Sequence, residues 1–209
     1  MKRLFHRSAL FELLARAFRR APEGETLLAE EVEPTWRECA RSLSGDRPGL
    51  PYSQVLGGTG SCADGEVSHR PAMPSGMILA DLAGFYQAFG FFELARAGEK
   101  PDHISVELEF VAFLFAKEAH ALASGEVEAA AVVREAREGF FRHHLAVWVA
   151  SFAAAVESRD PHGFFAGGAR AAVRAVGEET TVESPGHIAV SPDTPVECGG
   201  CPAVQEEER

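Results

Sequence analysis

The segment from Pro101 to Ala123 constrains the fold of this chain more than any other. Pro101 and Asp102 form a helix-start signature, because proline has a preset φ and the first helical turn needs no hydrogen bond from its nitrogen. Apolar residues then recur at helical spacing, at Ile104, Leu108, Val111, Phe115 and Ala119. A helix with such a stripe buries it against a partner, so this segment is predicted to be a core helix of an α-helical domain.

Asp102 admits two interpretations. Its carboxylate can cap the helix, since aspartate accepts hydrogen bonds from free backbone N–H groups and favours the positive end of the helix dipole. Alternatively, Asp102 and His103 form a polar pair at the edge of a binding groove. Capping is the commoner role for aspartate at this position, and the local sequence leaves both open.

The composition agrees with one helical domain. The chain has 209 residues, of which 46% are apolar and 24% charged, enough for one sizeable core. A net charge of −11 argues against nucleic acid as a partner and would attract a basic peptide. The N-terminus lacks the features of a signal peptide, and no segment approaches the roughly 18 apolar residues that span a bilayer. We therefore expect a cytoplasmic protein without stable membrane insertion.

Five further stretches show helical periodicity, and none shows the alternation of a β-strand. They are Ser8–Arg20, Glu25–Leu43, Met77–Ala95, Glu126–Glu157 and Asp160–Val176. Pro34 is expected to kink or split the second stretch. The fourth is expected to form one helix or two nearly continuous ones, with His144 in a core or interhelical hydrogen bond. The sequence thus predicts a single-domain, all-α helical bundle over residues 1–176.

Two stretches lack this periodicity. The first, Ser44–Ser75, is rich in proline and glycine and is predicted to be a long irregular loop, which in a compact domain is usually functional or mobile. Its Tyr52 either plugs the core beneath the loop or belongs to a binding site. The second, Gly177–Arg209, is acidic and proline-rich with few large apolar residues, so it is predicted to be a disordered tail. Deleting Glu178–Arg209 is accordingly expected to leave the thermal midpoint nearly unchanged.

The cysteines suggest an alternative function. Four cysteines are too few for a disulfide scaffold, and a single Cys198-Gly-Gly-Cys201 lacks the second ligand pair of a zinc ribbon. Cys198 and Cys201 are therefore weak metal candidates, and the alternative is a metal- or redox-handling accessory protein acting through them. Cys62 and His69 do not have the spacing of a recognised metal site. A hydrolase is disfavoured because adjacent residues such as Asp102 and His103 rarely aim at one reacting atom.

Four motifs occur in order along residues 10–176. The most specific is Pro101-Asp102-His103 followed by Ile104, Glu107, Leu108 and Phe110; the supporting ones are Pro51-Tyr52-Ser53, Phe85-Tyr86 with Phe89-Gly90, and Phe140-Phe141 with His144-Leu145, Trp148 and Phe152. Together they resemble the TorD/DmsD/NarJ family of molybdoenzyme-specific chaperones. The glycine-rich insertion Gly57–Gly65 and the Cys-x-x-Cys tail depart from the family pattern.

The resemblance implies an all-α TorD-like bundle with neither catalytic activity nor a cofactor of its own. It implies as partner the catalytic subunit of a DMSO-reductase-type molybdoenzyme. The chaperone would bind that subunit's N-terminal segment, often a twin-arginine leader, and hold the subunit for molybdopterin insertion before export. The implied leader-binding residues are Asp102, His103, Tyr52, Pro51, Ser53, Glu107 and Tyr86. Carboxylates beside an apolar groove would complement a segment with a basic start and an apolar middle. A monomer and a domain-swapped dimer both remain open.

Overall fold

The computed structural model describes residues 1–19, 33–44, 48–56, 61–91 and 100–181, and within these ranges the chain is all-α. Its helices are α1 (Lys2–Ala17), α2 (Arg37–Ser44), α3 (Tyr52–Val55), α4 (Glu66–His69), α5 (Ser75–Phe89), α6 (Ile104–Ala123), α7 (Val127–Phe140), α8 (Ala146–Arg159) and α9 (Phe164–Thr180). A 3₁₀ turn, Pro34–Trp36, precedes α2, and a π-helical turn, Phe141–Leu145, joins α7 to α8. In these ranges β pairing is limited to isolated bridges, so the predicted all-α fold is confirmed.

Some helix ends differ from the predicted ones for local reasons. Helix α1 begins at Lys2 rather than Ser8. Pro34 kinks no helix in the described residues; it opens the 3₁₀ turn before α2, where its missing N–H is not needed. Helix α5 ends at Phe89 because Gly90 adopts a φ of 73°, the left-handed conformation that commonly terminates helices. The predicted loop 44–75 contains the short helices α3 and α4.

Helix α6 lies at the centre of the fold, with buried residues on more than one of its faces. Helix α1 packs along it, and the Phe11 ring stacks on Phe115 with centroids 5.6 Å apart. The Ser8 hydroxyl donates to the Ala112 carbonyl at 2.9 Å, which fixes the two helices in register. A helix enclosed in this way is apolar on most sides, as the sequence predicted for α6.

An aromatic cluster around Phe110 joins α5 to α6 and α7. The rings of Tyr86, Phe91 and Phe140 lie 4.9, 5.1 and 4.8 Å from that of Phe110. Each buried aromatic ring of this kind contributes roughly 1.5–3 kcal/mol. The cluster therefore holds the inner side of α5 against the central helix.

The π-helical turn sets which side chains of the α7–α8 segment face inward. An extra residue in the turn shifts the helical register, so that Phe140 and Phe141 are both buried, as are His144 and Leu145. His144 Nδ1 lies 2.9 Å from Glu66 Oε2. The predicted interhelical hydrogen bond of His144 is confirmed, as is the near continuity of the two helices.

Helix α9 continues to Thr180, so the tail boundary predicted at Gly177 is wrong. The reason is electrostatic: Arg7 of α1 is only 4% exposed and ion-pairs with Glu178 at 2.8 Å and with Glu179 at 3.0 Å. A buried guanidinium needs such partners, and the last turn of α9 supplies them. Residues 182–209 lie outside the described residues, and their predicted disorder stays a prediction.

Deleting residues 178–209 is now expected to destabilise the protein by roughly 3 kcal/mol, because Arg7 would stay buried without a carboxylate partner. At about 2–4 °C per kcal/mol, the thermal midpoint should fall by roughly 6–12 °C. Deleting 182–209 is the matched control and should change the midpoint little. Equal midpoints for the two truncations would contradict this role of Glu178 and Glu179.

Candidate functional site

Hydrogen bonds of the Pro-Asp-His motif hold the preceding loop against the start of α6. The Glu66 N–H donates to the Asp102 carbonyl and the Ile104 N–H donates to the Asp64 carbonyl, both at 2.9 Å. The Asp102 carboxylate accepts from the Val67 N–H at 3.3 Å. Asp102 is only 6% exposed, so its side chain binds the first turn of α4 and does not project into solvent.

Gly65 permits the close approach of the two segments. It forms an isolated antiparallel bridge with His103. A Cβ at Gly65 would lie 2.4 Å from Asp102 Oδ2, closer than van der Waals contact allows. Glycine at this position is therefore explained by packing against the motif.

His103, not Asp102, is the N-cap of α6, so the capping interpretation of Asp102 is wrong. His103 Nδ1 accepts from the Ser105 N–H at 3.1 Å and lies 2.7 Å from the Ser105 hydroxyl. In the neutral ring the proton is then on Nε2, because Nδ1 acts as the acceptor. Nε2 lies 3.0 Å from the Tyr52 hydroxyl and 3.5 Å from Asp64 Oδ2.

Helix α3 places the Pro-Tyr-Ser motif next to this cap. Tyr52 is half-buried, and its ring packs edge-on against Phe165 at 5.8 Å while its hydroxyl reaches His103. Pro51 and Ser53, on either side, are exposed. We call these three residues, Pro51 to Ser53, the α3 edge. Both interpretations of Tyr52 thus agree with its position, since it anchors the loop and also borders the surface.

Asp64 adds a charged group beside the α3 edge. Its side chain is 18% exposed. The hydrogen bond with His103 lowers the pKa of Asp64 against the opposing effect of burial. Asp64 is therefore ionised at neutral pH and partly open to solvent. Sequence reasoning missed this residue, because a lone aspartate in an irregular loop carries no periodic signal.

Glu107, a predicted client-binding carboxylate, lies in the interior and is 0% exposed. Its Oε2 accepts from Trp148 Nε1 at 3.1 Å. Burial and then the neighbouring charge of Glu66 raise the pKa of Glu107 well above its usual value. Its Oε1 has no hydrogen-bond partner within the described ranges, and a protonated Glu107 can satisfy this atom by donating to Glu66. A direct contact of Glu107 with a client stays a prediction.

Glu66 connects this interior carboxyl to the surrounding helices. It is 0% exposed, ion-pairs with Arg70 one turn later in the chain, and hydrogen-bonds His144. His144 Nε2 in turn lies 3.2 Å from Asp81 Oδ2 on α5. Sequence reasoning missed Glu66, although the spacing Glu66-x-x-x-Arg70 is that of an ion pair on a helical turn. We call Glu66, Glu107 and His144 the interior polar cluster.

Tyr86, also a predicted site residue, joins α5 to the motif from inside. Its hydroxyl donates to the Pro101 carbonyl at 2.8 Å, and the residue is 7% exposed. Burial raises the pKa of Tyr86 well above its usual value, and the nearby carboxyl groups act in the same direction. Tyr86 therefore remains a neutral hydrogen-bond donor that positions the Pro-Asp-His segment.

Asp102 and His103 are adjacent in the chain but do not act on one common atom in the structure. The Asp102 carboxylate and the His103 ring face different partners, and the nearby Ser105 is only 1% exposed.

The described part of the chain contains no group of three or more side chains that could hold a metal ion. Cys198 and Cys201 lie outside the described residues. No described helix has both the length and the apolarity needed to cross a membrane. The fold and the site define the protein as an all-α protein in which the Pro-Asp-His motif holds a surface loop against the central helix.

Comparisons with known proteins show which family the chain resembles. Residues 65–154 match the model of the nitrate reductase delta subunit family. The perchlorate reductase assembly chaperone protein of Dechloromonas aromatica is 37% identical over 100 residues, which is 47% of this chain and 41% of that protein. The chlorate reductase assembly chaperone protein of Ideonella dechloratans is 34% identical over 111 residues, 53% of this chain and 56% of that protein. Chaperone protein TorD of Photobacterium profundum is 27% identical over 128 residues, 61% of this chain and 53% of that protein.

The predicted resemblance to the TorD/DmsD/NarJ family is confirmed by these matches, and the matched segment 65–154 contains the Pro-Asp-His motif. The chain spans about half the length of the curated relatives it matches. No solved structure matches it significantly. The relatives are named as assembly chaperones rather than catalysts, in agreement with the expectation that the chain is not an enzyme.

Replacing Glu107 with glutamine is expected to flatten the pH dependence of stability. Because the folded-state pKa of Glu107 is raised, its contribution is fully present below the unfolded-state pKa and declines as pH rises towards the folded-state pKa. Glutamine keeps an acceptor for Trp148 and a donor towards Glu66, yet does not ionise. Between pH 5 and pH 8, to be compared by urea unfolding, the wild type should therefore lose more free energy of unfolding than Glu107→Gln.

Glu135→Gln is the matched control, since Glu135 is exposed on α7. It should keep the wild-type pH dependence. If Glu107→Gln also keeps it, Glu107 ionises as freely in the folded protein as in the unfolded chain, and burial does not favour its protonated form.

Proposed function

We propose that this protein is an assembly chaperone for the catalytic subunit of a molybdenum-containing reductase. It binds the N-terminal segment of that subunit and holds the subunit in the cytoplasm until its molybdopterin cofactor is inserted, before export. The observation that carries the proposal is the similarity, at 34–37% identity, to proteins named as assembly chaperones of perchlorate, chlorate and selenate reductases. The matched family of nitrate reductase delta subunits supports it.

The names of the relatives indicate a class of client. Perchlorate, chlorate, selenate and nitrate are all oxyanions, and the TorD relative is less similar, at 27% identity. We therefore propose that the client is the catalytic subunit of an oxyanion reductase. A client that reduces a neutral oxide instead would overturn this choice without overturning the chaperone function.

The geometry supports the α3 edge as the place where the basic start of the client segment binds. Pro51 and Ser53 are exposed there, and the ionised Asp64 lies beside Tyr52 and His103. A basic segment would meet a carboxylate next to an aromatic ring there, and the opposite charges would complement each other. Asp102 and Tyr86 support this edge from the interior by holding the loop and α5 against the start of α6, and Glu107 joins α6 to Trp148 of α8.

The chaperone function is tested by copurification with molybdoenzyme catalytic subunits from the same genome. Each tagged subunit, expressed without cofactor, is mixed with the full chain. We expect a stable complex with an oxyanion reductase subunit, and weaker binding once the subunit's N-terminal segment is removed. Absence of a complex with every such subunit would overturn the proposed function.

The α3 edge is tested with the variant Ser53→Arg. An added cation and larger side chain there should weaken calorimetric binding of the client's N-terminal peptide by about tenfold or more, equivalent to about 1.4 kcal/mol. Val132→Arg adds the same charge at a 60% exposed position on α7 and serves as control. Unchanged affinity for Ser53→Arg, with thermal unfolding intact, would remove the α3 edge from the binding surface.

A further inference from the structure

Helix α5 leaves an apolar face in contact with solvent. It buries Ile78, Leu82 and Tyr86 against the core. Its exposed residues include Gly76, Met77, Leu79, Ala80, Asp81, Ala83, Gly84, Gln87 and Ala88. Asp81 carries the single charge of this fifteen-residue helix, whereas the outer face of a surface helix is normally rich in charge. Met77 is 61% exposed and Leu79 is 37% exposed, so the face presents large apolar side chains as well as small ones.

No described residue packs closely enough on the glycines of this face to explain why glycine is needed there. A Cβ at Gly76 or Gly84 would meet nothing within 4 Å. Glycine is among the least favourable residues inside a helix, so an unconstrained position would be better filled by alanine. A small residue occupies every fourth position along this face: Gly76, Ala80, Gly84 and Ala88. We call this row of small residues the ridge of α5, and its low profile lets a second helix approach closely.

Charge distinguishes two candidates for the covering helix. A second copy of the chain would bring together two bodies that each carry a net charge of −11. In a two-fold antiparallel contact centred on Ala80 and Gly84, the two Asp81 carboxylates would also lie on the same side of the contact, close to each other. A cationic helix would instead pair with Asp81, whose side chain is 61% exposed. Charge complementarity therefore favours a partner helix that carries lysine or arginine.

We propose that the outer face of α5 docks an apolar helix bearing a lysine or arginine, and that this helix is the apolar part of the client's N-terminal segment. The assignment of the occupant rests on the proposed chaperone function. The basic start of the segment meets the α3 edge, the apolar helix packs on the ridge of α5 beside Met77, and its cation pairs with Asp81. Because Asp81 Oδ2 also lies 3.2 Å from His144 Nε2, the docking face is in direct contact with the interior polar cluster.

The test uses the full chain and a synthetic peptide of about 18 residues, long enough to become helical on binding. One face of the peptide is leucine and alanine with a central lysine, and the other is serine and glutamine. Calorimetry measures its affinity for the wild type and for Gly84→Leu, which fills the ridge where space is free. Gly139→Leu on α7 is the matched control, since a Cβ at Gly139 also meets nothing within 4 Å.

We expect Gly84→Leu to weaken binding by about tenfold or more and Gly139→Leu to change it by less than about twofold. A peptide with glutamate in place of lysine should bind about tenfold more weakly to the wild type. Asp81→Asn should reduce that difference to less than about threefold. Equal affinity of wild type and Gly84→Leu, or of the two peptides, would overturn the docking site.

Two further measurements separate this inference from the proposed function. If light scattering shows a wild-type dimer that Gly84→Leu converts to a monomer, a second copy covers the face and the inference is wrong. If a reductase subunit copurifies equally with wild type and Gly84→Leu, the inference fails while the chaperone function stands. If the lysine peptide binds as expected but no reductase subunit does, the docking face stands and the proposed function fails.

Discussion

The attachment of residues 61–69 to the first turn of α6 is the constraint on which the rest of the structure depends. Asp102 accepts from the backbone of α4 with both its carbonyl and its carboxylate, and Gly65 allows the segments to touch. Each such hydrogen bond contributes about 1 kcal/mol net, and more where a carboxylate accepts. This position of α4 places Glu66 in the interior, where its carboxylate needs hydrogen-bond or ion-pair partners. Arg70 and His144 are these partners, and His144 connects the π-helical turn to the same network.

This network explains how a carboxyl as deeply buried as Glu107 is tolerated. An isolated charge in the interior is strongly unfavourable, so burial and the charge of Glu66 keep the pKa of Glu107 raised and favour its protonated form. The Trp148 indole then donates to its Oε2, and the protonated carboxyl can donate to Glu66. The motif residues thus form a hydrogen-bonded core that fixes three separate segments, rather than a set of charges facing solvent.

The interior arrangement has consequences at two surfaces. On one side, His103 and Asp64 support Tyr52 and the exposed residues of the α3 edge. On the other, Tyr86 and the contact between Asp81 and His144 hold α5 with its apolar face outward. A chaperone for an apolar, partly basic segment needs such surfaces held rigidly, because a preordered groove loses less entropy on binding. The same buried contacts therefore serve both stability and the proposed recognition.

The sequence by itself determined the helical class, the central helix α6 and the family resemblance, because 3.6-residue periodicity and a contiguous Pro-Asp-His motif are local signals. It also indicated that Tyr52, Asp102 and His103 belong together. The tertiary structure decided which side chains reach solvent. In the folded chain Asp102 and Glu107 are buried, His103 is the N-cap of α6, and Asp64 from an aperiodic loop lies beside His103. Helix α9 also extends to Thr180, because Glu178 and Glu179 bind Arg7 from the opposite end of the chain. Pairing over such sequence distances leaves no local pattern, since it depends on where packed helices bring charges together.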